Sequence, residues 1–472
     1  MKTKNLLYIL PLAALTACEP DIDEPSFSAG SADFAKTVAV GNSLTAGYQS
    51  GALSADGQIN SLPAMIAGQM KQVGGGDFNQ PILTGDLASQ GAGFSLALAG
   101  VGQVETRLAL KGTVDCLGTV SVGPVRKGPN YLGLAALAAD VSSSTYNNQG
   151  VPGAKVTDLD DPAYANPYFS RMRPLGKTML TLATDLNATF FSLWIGNNDV
   201  LGYATTGGDD GVTGPNGLTD AVIFQTKYEA AVTALTANGA KGVVANIPNV
   251  TSIPYFTTVP IGTSITQAQA DQLNTAYAPY NGGLDQVAMN PALADEAAAR
   301  KISFTAGVNT FVVSDPSLTD LSGSGLPSIR QIKAGELLVL TTPGDSIKCA
   351  MWGTAKPIPG SYHLRADEIQ KINAATDAYN ATIKSAAQAN GLAHVDANAR
   401  LKELATTGIT IDGIAFSSAL VTGGAFSLDG VHPATRGYAI IANDFISAIN
   451  STYSASIPKL SVGSYPTLEV EQ

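Results

Sequence analysis

Charge is scarce in this 472-residue chain. Only 14% of its residues are Asp, Glu, Lys or Arg, and 38 acids outnumber 27 bases, for a formal charge of −11. A nucleic-acid surface needs a basic face to meet phosphates, so this balance argues against nucleic-acid partners. Cysteine and histidine are scarcer still, with three of each. Three cysteines cannot build a four-thiolate zinc site. No two Cys or His stand at the short spacing of a zinc-ligand pair, and there is no HExxH. The GxxxxGK[ST] phosphate loop is missing as well. The expectation is therefore chemistry without metal, nucleotide or other cofactor. No run reaches 18 consecutive apolar residues, which is what a bilayer-spanning helix needs. Apolar residues nevertheless make up 45% of the chain, enough for a sizeable core, which excludes disorder for most of it. The length suits two or three domains, or one large α/β domain carrying insertions.

The first residues read as an address. Lys2 and Lys4 precede an apolar stretch from Leu6 to Leu15, which has signal-peptide length. It closes with Leu15-Thr16-Ala17-Cys18, which resembles a bacterial lipobox. That resemblance implies cleavage before Cys18, acylation of its thiol and new amino group, and attachment to the membrane through lipid alone. Removing residues 1–17 takes away two lysines and no acid, leaving a charge of −13. Residues 18–35 begin Cys-Glu-Pro-Asp-Ile-Asp-Glu-Pro and read as an acidic, solvated tether. Acids directly after the Cys are similar to the export signals on surface lipoproteins of the Bacteroides group. The expected place is the bacterial cell envelope, at the outer membrane. Two cysteines remain, Cys116 and Cys349. In an exported protein they form either one disulfide or two separate buried thiols, and spacing does not decide between these.

Within residues 36–454, short apolar runs alternate with longer helical periodicity. Thr37–Val40, Phe190–Ile195, Val243–Asn246 and Ala393–Asp396 are unalternating, as strands buried on both faces are. Residues 219–238 and 366–390 read as helices, and both end in Asn-Gly. The alternation implies right-handed crossovers and a three-layer α/β/α sandwich around a parallel sheet. Two stretches fit poorly and read as insertions over the sheet's C-terminal edge: a Gly-rich segment at 70–145 and apparent hairpins at 303–362, with Phe311–Val313 and Leu337–Leu340 as strands. The small apolar residues of 91–101 and 131–140 are candidates for an acyl pocket, though insertion core is the simpler reading. Residues 455–472 look like a tail.

Chemistry concentrates at four strand ends. Gly41-Asn42-Ser43-Leu44 follows the first run, exposing Ser43 beside the N–H groups of a following helix, as a nucleophile needs. Read alone, such a Ser is more often a helix N-cap. Asp429-Gly430-Val431-His432 places a carboxylate three residues before a histidine, so one loop can supply a base and the acid that orients it. His394, inside a strand, reads as core, and His363, in a Pro/Gly-rich insertion, as surface or rim. Asn198, in Gly196-Asn197-Asn198-Asp199, can donate to an oxyanion, and so can the N–H of Gly153 in Gly150-Val151-Pro152-Gly153.

In this order the four motifs resemble those of the SGNH hydrolases, or GDSL esterases and lipases. Gly41–Leu44 matches G-D-S-L, Gly153 the isolated glycine, Gly196–Asp199 G-x-N-D, and Asp429–His432 D-x-x-H. The resemblance spans residues 36–450. It implies a flavodoxin-like sandwich, Ser43 as nucleophile, His432 as base, Asp429 as its partner, and an oxyanion hole from the Ser43 and Gly153 N–H groups and the Asn198 amide. Asn42 departs from the usual Asp, and the chain is about twice the family's usual domain length. The expected function is ester hydrolysis of acyl lipids or acylated glycans. The competing expectation is a surface lipoprotein that kept the fold, lost the chemistry and binds glycan or lipid.

Overall fold

The computed structural model describes residues 27–94, 102–140, 145–172, 176–208 and 216–468. Cys18 and its lipobox lie outside them, as do residues 95–101 of the candidate acyl-pocket segment. Among the described residues no helix is long and apolar enough to cross a membrane.

The fold is mixed α/β around a five-stranded parallel sheet: β1 (Thr37–Gly41), β2 (Asn148–Gly150), β3 (Phe190–Trp194), β4 (Lys241–Ala245) and β5 (Ala393–Val395). The spatial order is β5-β4-β3-β1-β2. The four apolar runs each became a strand, and they are almost entirely buried. Strand β2 is polar, Asn-Gln-Gly, yet equally buried, with both side-chain amide nitrogens paired. Asn148 Nδ2 donates to the Thr45 carbonyl and Gln149 Nε2 to that of Tyr146. Paired amides remove most of the cost of burying them.

The helices that position the site are α1 (Ser43–Ala46), α2 (Asn198–Thr205), α3 (Ala221–Thr236), α4 (Ala366–Ala389), α5 (Ala397–Thr406) and α6 (Thr435–Tyr453). Helix α6 packs on β5, β4 and the 62–70 helix, while α3 and α4 pack on each other and α4 on β4 and β5. This is compatible with an α/β sandwich. The Asn-Gly signals end α3 and α4 as expected.

Several expectations need correction. The segment expected from residue 303 packs together with residues well before it. The Gln267–Val287 helix, capped by a reciprocal Thr266–Gln269 pair, packs with Ile302, Phe304 and Val312 in a core apart from the main one. Val312–Ser314 does form a hairpin, with Ile329–Gln331. Leu337–Leu338, however, pairs not with a neighbour but with His363–Leu364. His363 is buried, not at a rim, because Glu336 Oε2 accepts from its ring at 3.1 Å. Burial would raise the Glu336 carboxyl, but hydrogen bonds from His363 and Arg330 outweigh it and hold it at about 2. His394 lies in β5 as expected but is only half-buried.

The tail is docked through Tyr465. Leu460 exchanges two backbone hydrogen bonds with the Asn443 side chain on α6, and Ile457, Leu460 and Val462 are buried. The tether also ends sooner than residue 35: Phe34 is buried, and Ser28 and Ser31 bond the chain at the C-terminus of α6. Of the candidate acyl-pocket residues in 131–140, Leu137 is main-core packing.

Within residues 70–145, strands 108–114 and 120–126 form an antiparallel hairpin. Cys116 at its tip is bridged to Cys349, with Cα atoms 6.4 Å apart, resolving the two open readings in favour of the disulfide. Asp115 and Lys348 add an ion pair at 2.8 Å beside it. A Cys18→Ser protein should therefore offer no thiol to a maleimide until reduced. The Cys116→Ser/Cys349→Ser protein should lose about 2–4 kcal/mol in denaturant unfolding. Two freely titrating thiols in the unreduced protein would contradict the bridge.

Candidate active site

Register assembles the site. Gly41 of β1 stands opposite Gly150 of β2 on one side and Trp194 of β3 on the other. Three adjacent strands therefore end together, and Ser43, Gly153 and Asn198 each follow within a few residues of those ends. Gly150 is forced by proximity, since a Cβ there would come within 2.4 Å of the Ala46 nitrogen on α1. Gly196 is forced by conformation, at φ 111°, where a Cβ would also strike Ile247 and Phe224.

Ser43 is not the N-cap of α1. Asn42 is, its Oδ1 accepting from Leu44 N at 3.0 Å. This leaves the Ser43 hydroxyl free for other bonds. The Asn42 amide also donates to Asn197 Oδ1 at 3.0 Å, a fully buried bond that ties the end of β1 to the end of β3. Asn42 thus joins the Ser43 segment to the Gly196–Asp199 segment.

The Ser43 Oγ lies 2.9 Å from His432 Nε2, and His432 Nδ1 lies 2.9 Å from Asp429 Oδ2. Asp429 is held by more than the imidazole. Its Oδ1 accepts from Val431 N, His432 N and Ser427 Oγ at 2.8–3.1 Å, and its Oδ2 from Gly51 N at 2.8 Å. Burial would push this carboxyl up, but His432 and the surrounding donors outweigh burial and hold it at about 2. An ionised carboxylate fixed in this way selects the tautomer with hydrogen on Nδ1, which turns a lone pair on Nε2 toward Ser43. A hydroxyl so placed can give up its proton as its oxygen attacks an electrophile.

The oxyanion candidates also gather here. Among the described residues neither the Ser43 nor the Gly153 N–H has an intramolecular acceptor. Asn198 Nδ2 donates to the carbonyl of Ala154, next to Gly153, at 2.9 Å. Asp199, which closes the third motif, accepts from Val156 N and Thr219 Oγ1 and so pins the Gly153 loop to α2. Burial raises its carboxyl to about 6.

Sequence reasoning missed three supporting residues. The Tyr48 ring lies 4.8 Å from the His432 ring, with its hydroxyl on the Gly51 carbonyl. Ser427 bridges Asp429 and Ser50 N. Asn197 holds Asn42. A polar residue two positions before Asp429 was the only available cue, and it is a weak one. His363 and His394 take no part. Ser43 and His432 open onto a slot with predominantly apolar walls, lined in part by Leu401, Leu404, Val250 and Ile440. No group of three or more His, Cys, Asp or Glu side chains among the described residues is placed to hold a metal.

The pH dependence of stability follows from Asp429. Its carboxyl has an ordinary value of 3.8 and is held at about 2 in the folded protein. Its contribution, on the order of 2 kcal/mol, is complete above pH 4 and vanishes as pH falls through 2. Urea unfolding should show Asp429→Asn less stable than the parent at neutral pH, with the gap closing between pH 4 and 2. A gap that stays constant over that range would contradict the assignment.

Compared with protein-family models the chain matches none, and compared with curated proteins it matches none.

Proposed function

We propose that this chain is a serine esterase of the SGNH hydrolase type, built on a three-layer flavodoxin-like sandwich and tethered to the bacterial envelope through Cys18. The observation that carries this reading is the Ser43–His432–Asp429 chain, two contacts of 2.9 Å at the mouth of an apolar slot. The Ser43 oxygen attacks the ester carbonyl carbon while its proton passes to His432 Nε2. The carbonyl electrons move onto oxygen, which the Ser43 and Gly153 N–H groups and the Asn198 amide receive. Collapse breaks the bond to the alcohol, which leaves with the proton from His432. Water then repeats the sequence on the acyl-enzyme, releasing a carboxylic acid and restoring Ser43. Acyl lipids and acylated glycans both present such esters.

On p-nitrophenyl butyrate, Ser43→Ala and His432→Ala should each lower kcat by about 10⁴-fold or more, and the double variant should be no worse than either. Asn198→Ala should lower kcat by about 10²–10³-fold with little change in KM. Folded native protein that hydrolyses no ester, or a Ser43→Ala protein with full activity, contradicts the proposal. For the anchor, the parent expressed in a bacterium that processes lipoproteins should partition with membranes and Cys18→Ser should be released. Equal retention of both contradicts lipidation.

A further inference from the structure

The slot has a length, a width and an end. Helix α5 lines it with Ala397, Arg400, Leu401 and Leu404, and α6 with Gly437, Ile440, Ile441 and Asp444. Each set follows the i, i+3, i+4, i+7 pattern of a single helix face, which spans seven residues or about 10 Å. The slot has a cavity volume of about 100 Å³. Over about 10 Å of length, that is a cross-section of about 10 Å² for atom centres, room for one chain and not two.

Its polar groups lie at the two ends. Ser43, Asn197, Asn198 and His432 line it on the catalytic side, His432 standing just before the Gly437 end of the α6 face. Along the α6 face the far limit is Asp444, paired with Arg400 in a two-pronged bridge at 2.6 and 2.8 Å. These two residues and Val395 also line a second, polar depression with His394, Asp396 and Glu403. The Arg400–Asp444 pair is thus a partition between an apolar slot and a polar surface hollow.

We infer that the slot binds a single linear, saturated acyl chain of about eight carbons, and that the Arg400–Asp444 pair is the stop that sets its length. The inference rests on the esterase reading of Ser43. An extended chain with bonds of about 1.5 Å advances about 1.25 Å per carbon, so about eight carbons fill 10 Å. A longer chain must push its terminal methyl groups against a paired guanidinium and carboxylate, and separating or desolvating that pair opposes binding.

The test is kcat/KM over p-nitrophenyl esters from C2 to C16, beside a binding measurement that needs no turnover. Activity should rise about fourfold per methylene up to about C8 and fall by about tenfold by C12, where the slot is overfilled. In Arg400→Ala/Asp444→Ala, only the Glu403 carboxylate, which is largely exposed to water, loses its guanidinium partner, and the optimum should move to C12 or longer. Leu401→Trp, which fills the slot, should move it to C4 or shorter and stands as the decisive variant if the double variant does not fold. The chain has two tryptophans, Trp194 in the slot and Trp352 away from it. In Ser43→Ala/Trp352→Phe, 8-bromooctanoate should therefore quench Trp194 fluorescence. Quenching without any ester hydrolysis by the native protein would sustain the slot and remove the esterase. Hydrolysis with an acetate optimum, no quenching, or an unshifted optimum in the folded variants would overturn the acyl slot and leave the esterase standing.

Discussion

A charged carboxylate with little solvent contact is the constraint on which this site depends. Asp429 must stay ionised to hold His432, and ionisation at such a position is possible only if donors replace the lost water. Five of them do so: three backbone N–H groups, one hydroxyl and the imidazole itself. Those donors must in turn be held. Gly51, which supplies one N–H, is fixed through its carbonyl by Arg126 at the end of the 108–126 hairpin. Gly430, inside the Asp429–His432 loop, accepts from Tyr255 N, and the Tyr255 carbonyl accepts from Leu340 N. The 108–126 hairpin and the chain around Leu340 therefore brace the acid from two distant parts of the sequence.

A second constraint acts across the sheet. Parallel strands ending in register bring three loops to one edge, but they do not by themselves fix side-chain positions to the tolerance that proton transfer requires. The buried Asn42–Asn197 bond and the Asp199 contacts to Val156 and Thr219 supply that precision. Each joins loops that follow different strands, and each is shielded from water. The Cys116–Cys349 bridge does comparable work at the periphery, linking the 108–126 hairpin to the Gly344–Cys349 helix.

What was legible in the sequence follows from what each residue has to satisfy locally. Four strands could be read because burial on both faces demands unbroken apolar runs. The strand Asn148–Gly150 could not, because its burial is made possible by partners far away, the Thr45 carbonyl among them. His363 looked exposed among its Pro and Gly neighbours, yet a carboxylate 27 residues away buries it. Leu337–Leu338 resembled half of a local hairpin, although its partner strand is His363–Leu364. The segment after residue 454 has no helical period, and it is the Asn443 and Asn450 side chains of α6, reading the Leu460 and Ile457 backbones, that show why it docks. Ser43 was legible because it follows a strand end at once, and Asp429 and His432 because they stand three residues apart in one loop. Tyr48, Ser427 and Asn197 were not, because their roles exist only after folding.

The central claim is that Ser43 is a hydroxyl activated by its neighbours, and one measurement addresses it without any assumption about the substrate. A fluorophosphonate reacts with activated serines and leaves a covalent adduct on the oxygen. Incubated with the folded native protein, it should add one phosphonyl group, located by peptide mass spectrometry on the peptide carrying Ser43. The adduct should be lost in His432→Ala. Native protein that stays unlabelled, or that carries the label on another residue, would contradict the account.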